Sequence, residues 1–287
     1  MQRTPPVHYV AGNSLVLDVG QALDSKTLIH NLTLNGYRAV DTVYEHGEYA
    51  VRGSLLDIFP MGSQVPYRID LFDAEIESLR TFDPENQRTI SKVESIRLLP
   101  AREFPLTEEG IRRFKLNWYR KFDGDPEACP LFNEICAGRV PGGAEYFLPL
   151  FFDSCGTVFD YIPDHAALIT LGDHYQAASQ FWTEITSRHT EYGVDVRRPL
   201  LPPSEVFIPT EVLYEDLSKY AVLELRTEQD APVHQKTGLL PPPNLNDTYQ
   251  GATALERLAA FIEKHEGPVL LCAESPGRRE VLLEGLN

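Results

Sequence analysis

Gly47-Glu-Tyr-Ala-Val-Arg-Gly-Ser-Leu-Leu-Asp-Ile-Phe-Pro60, with Tyr67-Arg-Ile-Asp-Leu-Phe-Asp73 and Arg80-Thr-Phe-Asp-Pro84 close behind, sets the fold of residues 14–100. Short alternating runs are cut by turn residues. Tyr49-Ala-Val51 is interrupted at Gly53, and Leu55-Leu-Asp-Ile-Phe59 stops at Pro60-Met-Gly-Ser63. Asp83-Pro84-Glu85-Asn86 ends the run Glu75 to Phe82, and Val93 to Leu99 follows. Connections this short join antiparallel neighbours, because a parallel crossover needs about a dozen residues or more. Upstream, Leu15 to Val19 reads as a strand ending at Gly20. Asp24 or Ser25 caps a helix with Leu28, Leu32 and Leu34 on its apolar face, and Asn35-Gly36 supplies the stop. Residues 14–100 are therefore expected to be a small α+β domain, an antiparallel sheet with a helix.

Strand periodicity divides the functional face from the core. In Tyr67 to Phe72, the residues Tyr67, Ile69 and Leu71 share one side, which should pack on the helix at 25–35. Arg68, Asp70 and Phe72 share the other, and Arg52 alternates away from Val51 to join them. An aromatic among arginines on an outer face has the make-up of an interface hot spot. The bland alternative is a solubilising face with Phe72 covered by a bulge or by the next hairpin.

Residues 101–225 change character. Glu108 to Phe122 has helical spacing, Ala166-Ala-Leu-Ile-Thr-Leu171 reads as a buried strand, and Asp173 to Tyr192 reads as a long helix ending at Gly193. A strand feeding a helix predicts part of a parallel α/β layer. Trp118 and Trp182 are expected in cores. Residues 226–252, with Pro232 and Pro241-Pro242-Pro243, read as a linker, and Gly238 to Pro243 as a spacer rather than a polyproline ligand. Residues 253–287 hold an amphipathic helix from Thr253 to Lys264, a strand Pro268-Val-Leu-Leu-Cys272 and a helix Gly277 to Leu286. One strand and two helices close no core alone, so this segment is expected to be the truncated start of a further α/β domain. Residues 1–13 are expected to lead in from a missing N-terminal subdomain.

The bulk numbers narrow the function classes. The sequence has 287 residues, 43% of them hydrophobic, and a net charge of −16. Duplex binding needs a basic footprint, and this bulk field repels a polyanion. Cys129, Cys136, Cys155 and Cys272 form no C-x-x-C pair and the eight histidines no H-E-x-x-H, so no metal is expected. Asp70, Asp73, Glu75 and Glu77 lack a glycine-punctuated calcium loop and read as a solvated acidic strand pair. Asp173-His174 reads as a helix cap beside a surface histidine, although a hydrolase would use such a pair. Ser275-Pro-Gly-Arg-Arg279 is a poor phosphate turn, with one glycine and a proline. No apolar run approaches twenty residues and no leader opens the sequence, so no membrane and a cytoplasmic location are expected.

The segments at 47–60, 67–73 and 80–84 resemble a module shared by two families of bacterial excision-repair proteins, UvrB and the transcription-repair coupling factors. Leu15 to about Pro203 is similar to the same region, and Pro268 to Glu280 looks like the start of the coupling factors' next domain. Three departures favour the coupling factors. No G-x-x-x-x-G-K-[ST] phosphate loop occurs. In Ala167-Leu-Ile-Thr-Leu-Gly-Asp-His174, Leu171 and Gly172 stand where UvrB carries its acidic pair, so the carboxylates that hold Mg²⁺ and orient water are missing. Gly143-Ala-Glu-Tyr-Phe-Leu-Pro-Leu-Phe151 also resembles the coupling-factor wording.

The resemblance implies a fragment of the N-terminal UvrB-like region, with a degenerate helicase-like α/β subdomain at 101–225. It implies an adaptor that recruits UvrA through Arg52, Arg68 and Phe72, each arginine offering a bidentate fork to a partner carboxylate. No cofactor, metal or ATPase activity is expected in this piece. RNA polymerase, double-stranded DNA and ATP-dependent translocation belong, by the same resemblance, to absent domains of the parent. The alternative is a UvrB-type factor that loads directly onto damaged duplex.

Overall fold

In the computed structural model, residues 1–193, 195, 197–226 and 254–286 are described, and they fall into a larger unit of residues 1–226 and a smaller one of residues 254–286. The expected linker, apart from Arg226, and the Gly238–Pro243 spacer lie outside the described residues.

The larger unit opens with α1 (Val7–Gly12), β1 (Leu15–Asp18) and α2 (Ser25–Leu34). Seven strands follow: β2 (Arg38–Ala39), β3 (Glu48–Arg52), β4 (Leu55–Ile58), β5 (Tyr67–Phe72), β6 (Glu75–Phe82), β7 (Thr89–Val93) and β8 (Ser95–Leu98). β2 to β7 form one sheet in sequence order, antiparallel throughout except for the parallel pair β2–β3. The alternating runs thus make the expected meander. The two-residue β2 is too short to show a period in the sequence. The expected single strand Val93–Leu99 is broken at Glu94: Val93 stays opposite Leu79 in the sheet, whereas β8 leaves to pair with β1.

The Asp24 carboxylate caps α2 by accepting from the Thr27 amide at 3.0 Å. Leu28 and Leu32, one turn apart, pack with Leu56, Ile58, Ile69, Ile76 and Leu79. Leu34 is a correction: it is 42% exposed, because two residues beyond Leu32 the helix has turned it away from the sheet. The chain leaves α2 through Gly36 at φ +92°, where a Cβ would lie 2.3 Å from the Arg102 side chain. The opposite face of the sheet is not simply solvated, as the alternation implied. Val43, Ala50, Phe59 and Phe82 form a second small core there.

Beyond the sheet lie α3 (Glu108–Lys121), α4 (Pro130–Cys136), β9 (Ala167–Leu171), α5 (His174–Tyr192), α6 (Pro203–Val206), α7 (Thr210–Leu217) and β10 (Ala221–Leu225). The core here is aromatic: Phe114 and Trp118 on α3 pack with Phe132, Phe147 and Phe151. Trp118 is buried as expected, but Trp182 is only half-buried, and Ala178 is the buried residue of α5. β9 pairs in parallel with β10, from Ala167 opposite Ala221 to Leu171 opposite Leu225. The strand therefore forms, but without the expected burial: Ile169 is 63% and Leu171 74% exposed. Residues 1–13 hold α1 and two isolated bridges, Gln2 to Phe207 and Thr4 to Gly156.

The smaller unit contains α8 (Ala254–Lys264) and α9 (Pro276–Leu286). The strand expected at Pro268–Cys272 does not form, and Leu270 is 86% exposed. A strand exists only as part of a ladder, and no strand lies beside this run among the described residues of the unit. No helix among the described residues is long and apolar enough to cross a membrane.

Candidate protein-docking face

The face of the sheet turned away from α2 carries the predicted site residues. Register fixes which side chains meet there: Asp57 on β4 stands opposite Ala50 on β3 and opposite Arg68 on β5. Arg68 donates through Nε to Asp57 Oδ1 at 2.7 Å and through Nη2 to Oδ2 at 2.9 Å. The Asp57 side chain is 3% exposed and that of Arg68 15%. The guanidinium carbon also lies 4.7 Å over the Phe82 ring. The hydrogen bonds that Arg68 donates to Asp57 outweigh burial and raise the Arg68 pKa above its ordinary value. Arg68 therefore departs from the expectation of an outward fork, since its bidentate edge is already committed to Asp57.

Arg52 is placed differently. Its Nη2 donates to the Asp41 carbonyl at 3.2 Å and lies 3.7 Å from Asp57 Oδ2, with the side chain 45% exposed. Asp57 thus sits between the two predicted arginines, held tightly by one and loosely by the other. Phe72, at the end of β5, is 67% exposed. The turn behind it needs Asp73 at φ +55°, a left-handed position that a short acidic side chain tolerates. The covering bulge considered for Phe72 is absent; the register shift lies between Asp70 and Leu71 and leaves the ring outside. A shallow notch of 160 Å³ between Val51, Gly53, Leu55, Leu71 and Asp73 flanks this end of the sheet.

The loop before β3 roofs the other half of the face. The Glu48 carboxylate accepts from the amides of Tyr44 (2.8 Å) and Glu45 (2.9 Å) and from the Arg38 guanidinium. Gln87, at φ +62°, donates through Nε2 to the Val43 carbonyl at 3.1 Å. Val43 is thereby pressed beside Ala50, Phe59 and Phe82. Burial raises the Glu48 pKa, but the two amides and Arg38 overcome it and hold the carboxyl below its ordinary value.

Sequence reasoning missed Asp57, Phe82 and Gln87. Asp57 left a signal, an acidic residue inside the apolar run Leu55 to Phe59, which a strand buries only with a partner. Phe82 and Gln87 left none, because their roles depend on the roofing loop.

Other candidate chemistry is not assembled. Asp173 caps α5 by accepting from the Gln176 amide at 2.9 Å, and the His174 ring lies against Tyr175. Gly172 turns out of β9 at φ +70° and donates its amide to the Leu225 carbonyl. Asp70 is paired with Arg80 at 2.9 Å, and no group of three metal-ligating side chains occurs among the described residues.

Residues 15–104 match a family model described as the UvrB interaction domain, and residues 261–287 match one described as the MFD D3 domain. The chain is 40% identical over 287 residues to a transcription-repair-coupling factor of Escherichia coli K12, covering 99% of this chain and 25% of that protein. A protein of the same name from Haemophilus influenzae is 39% identical over 294 residues, covering 100% and 25%. One from Bacillus subtilis 168 is 30% identical over 179 residues, covering 58% and 15%. The chain spans about a quarter of the length of the first two relatives.

Proposed function

We propose, for a chain that belongs to the transcription-repair-coupling factor family, that residues 15–104 dock UvrA and so bring excision repair to a stalled transcription complex. The observation that carries this reading is the exposed pair Arg52 and Phe72, set around the fixed Arg68–Asp57 ion pair within a UvrB interaction domain. Arg52 reaches a partner carboxylate by giving up only a long ion pair and one carbonyl bond. Phe72 supplies a rigid apolar anchor with little rotamer entropy to lose. Arg68 acts as a positioning residue, its Nε and Nη2 held by Asp57 and its Nη1 donating to the Gln87 carbonyl at 3.4 Å.

The chain itself hydrolyses no ATP in this reading, since Leu171 ends β9, Gly172 follows it, and the next carboxylate, Asp173, is used to cap α5 through the Gln176 amide. In the whole protein, RNA polymerase and duplex DNA engage other domains, where ATP-driven translocation also resides. Four unpaired cysteines, Cys129, Cys136, Cys155 and Cys272, suit a reducing cytoplasm.

The test is a binding titration of UvrA against the chain and its Arg52→Ala and Phe72→Ala variants. Each variant is expected to lose about 2 kcal/mol, roughly thirty-fold in affinity, while melting like the parent. Equal binding by all three would remove Arg52 and Phe72 from the interface. No binding by the parent chain would remove the docking function from these residues.

A further inference from the structure

The register of the sheet places Asp57, Arg68, Arg80 and Lys92 side by side across β4, β5, β6 and β7. Neighbouring strands are about 4.8 Å apart, so the last three residues form a cationic row about 10 Å long on the face that carries Phe72. Arg68 stands directly opposite Arg80, and Arg80 directly opposite Lys92. Like charges directly opposite on adjacent strands destabilise a sheet unless anions intervene. Asp57 serves Arg68 and Asp70 serves Arg80. Lys92 is exposed and its side chain has no hydrogen bond or ion pair among the described residues, and the Nε of Arg80 is buried without a hydrogen-bond partner. This row lies in a chain whose net charge is −16.

We infer that Arg80 and Lys92 extend the docking face across the sheet, and that its partner presents an acidic protein segment there, with an apolar pocket for Phe72. The inference rests on the docking function proposed above and names the chemistry of the surface it meets. A partner carboxylate near Lys92 supplies the anion that the row lacks. A nucleic-acid backbone fits less well. Asp57 and Asp70 already neutralise two of the cations, and the remaining positive charge is too sparse for a duplex with one phosphate per about 1.7 Å. Phe72 and the half-buried Leu55 on the same face also offer a surface that a discrete protein side chain fills better than a phosphate does.

Lys92→Glu tests this at an exposed position whose side chain has no hydrogen bond or ion pair among the described residues. The full chain, its Lys92→Glu variant and its Phe72→Ala variant are titrated with UvrA at low and at moderate salt. Lys92→Glu is expected to weaken binding about tenfold at low salt and to flatten its salt dependence, with a thermal melt no lower than the parent's because the like-charge pair with Arg80 is relieved. Parent-like binding by Lys92→Glu, alongside weakened binding by Phe72→Ala, overturns the row and leaves the docking function standing. A parent chain that does not bind UvrA overturns both. Duplex DNA binding by the parent that Lys92→Glu abolishes shows that the row reads phosphate, and overturns the acidic-protein assignment.

Discussion

Removing the Arg68 guanidinium would leave the Asp57 carboxylate, 3% exposed, against a sheet face roofed by Phe82 and Val43, with only Arg52 at 3.7 Å to compensate. Breaking one side of a buried pair costs about 3–5 kcal/mol, whereas replacing both partners with apolar residues is often near neutral. Arg68→Ala is therefore expected to be strongly destabilised in urea unfolding, and Arg68→Met combined with Asp57→Leu to recover most of the loss. A single variant as stable as the parent would show that the pair is not what holds β4 and β5 together here. Phe72→Ala should behave oppositely, leaving unfolding within about 0.5 kcal/mol of the parent because the ring is 67% exposed. The contrast explains what was legible at this scale. Alternation alone put Arg68 and Phe72 on one face and was sufficient for that. It could not tell a committed arginine from an available one, because the difference lies in Asp57, which only the pairing of β4 with β5 brings opposite Arg68.

The loop between β2 and β3 is a single element held by one carboxylate. Glu48 gathers the Tyr44 and Glu45 amides and Arg38, and so keeps Val43 in the outer core. Its pKa is depressed in the folded chain, so its contribution is fully present above the unfolded glutamate value and is lost as pH falls through the lower, folded value. Glu48→Gln is thus expected to cost about 1–3 kcal/mol near neutral pH, with the gap from the parent closing as both are melted from about pH 6 down to pH 3. A gap that is constant with pH would mean that the charge of Glu48 does not hold the loop. Nothing in Val40 to Gly47 showed a period from which this roof could be read. The meander, by contrast, was readable strand by strand because each run is bounded by a turn signal. The break at Glu94 escaped notice because Val93 and Ile96 are both apolar residues of one continuous-looking run, and only the competing pull of β1 separates them.

At the scale of the molecule, charge and its placement pull in different directions, and DNA tests which prevails. The chain carries 42 acidic and 26 basic residues. Several exposed cations are engaged locally, with Arg112 on Glu109, Arg113 on Asp153, Lys121 on Glu205 and Arg139 on Glu134. Such pairs contribute little stability, yet each removes a positive charge that a duplex would need. In the cationic row on the sheet Arg68 and Arg80 are likewise engaged, by Asp57 and Asp70, which leaves Lys92, and that is little beside the several phosphate contacts that give useful affinity. Beyond about 10 Å at ordinary ionic strength it is screened, so it acts at contact range on a partner already docking through Phe72. The chain alone is therefore expected to show no appreciable affinity for duplex DNA in fluorescence anisotropy, even at low salt, while UvrA association slows as salt rises. Measurable duplex binding that falls steeply with salt would count phosphate contacts directly through its slope. It would return the chain to the DNA-loading role that its likeness to UvrB first raised.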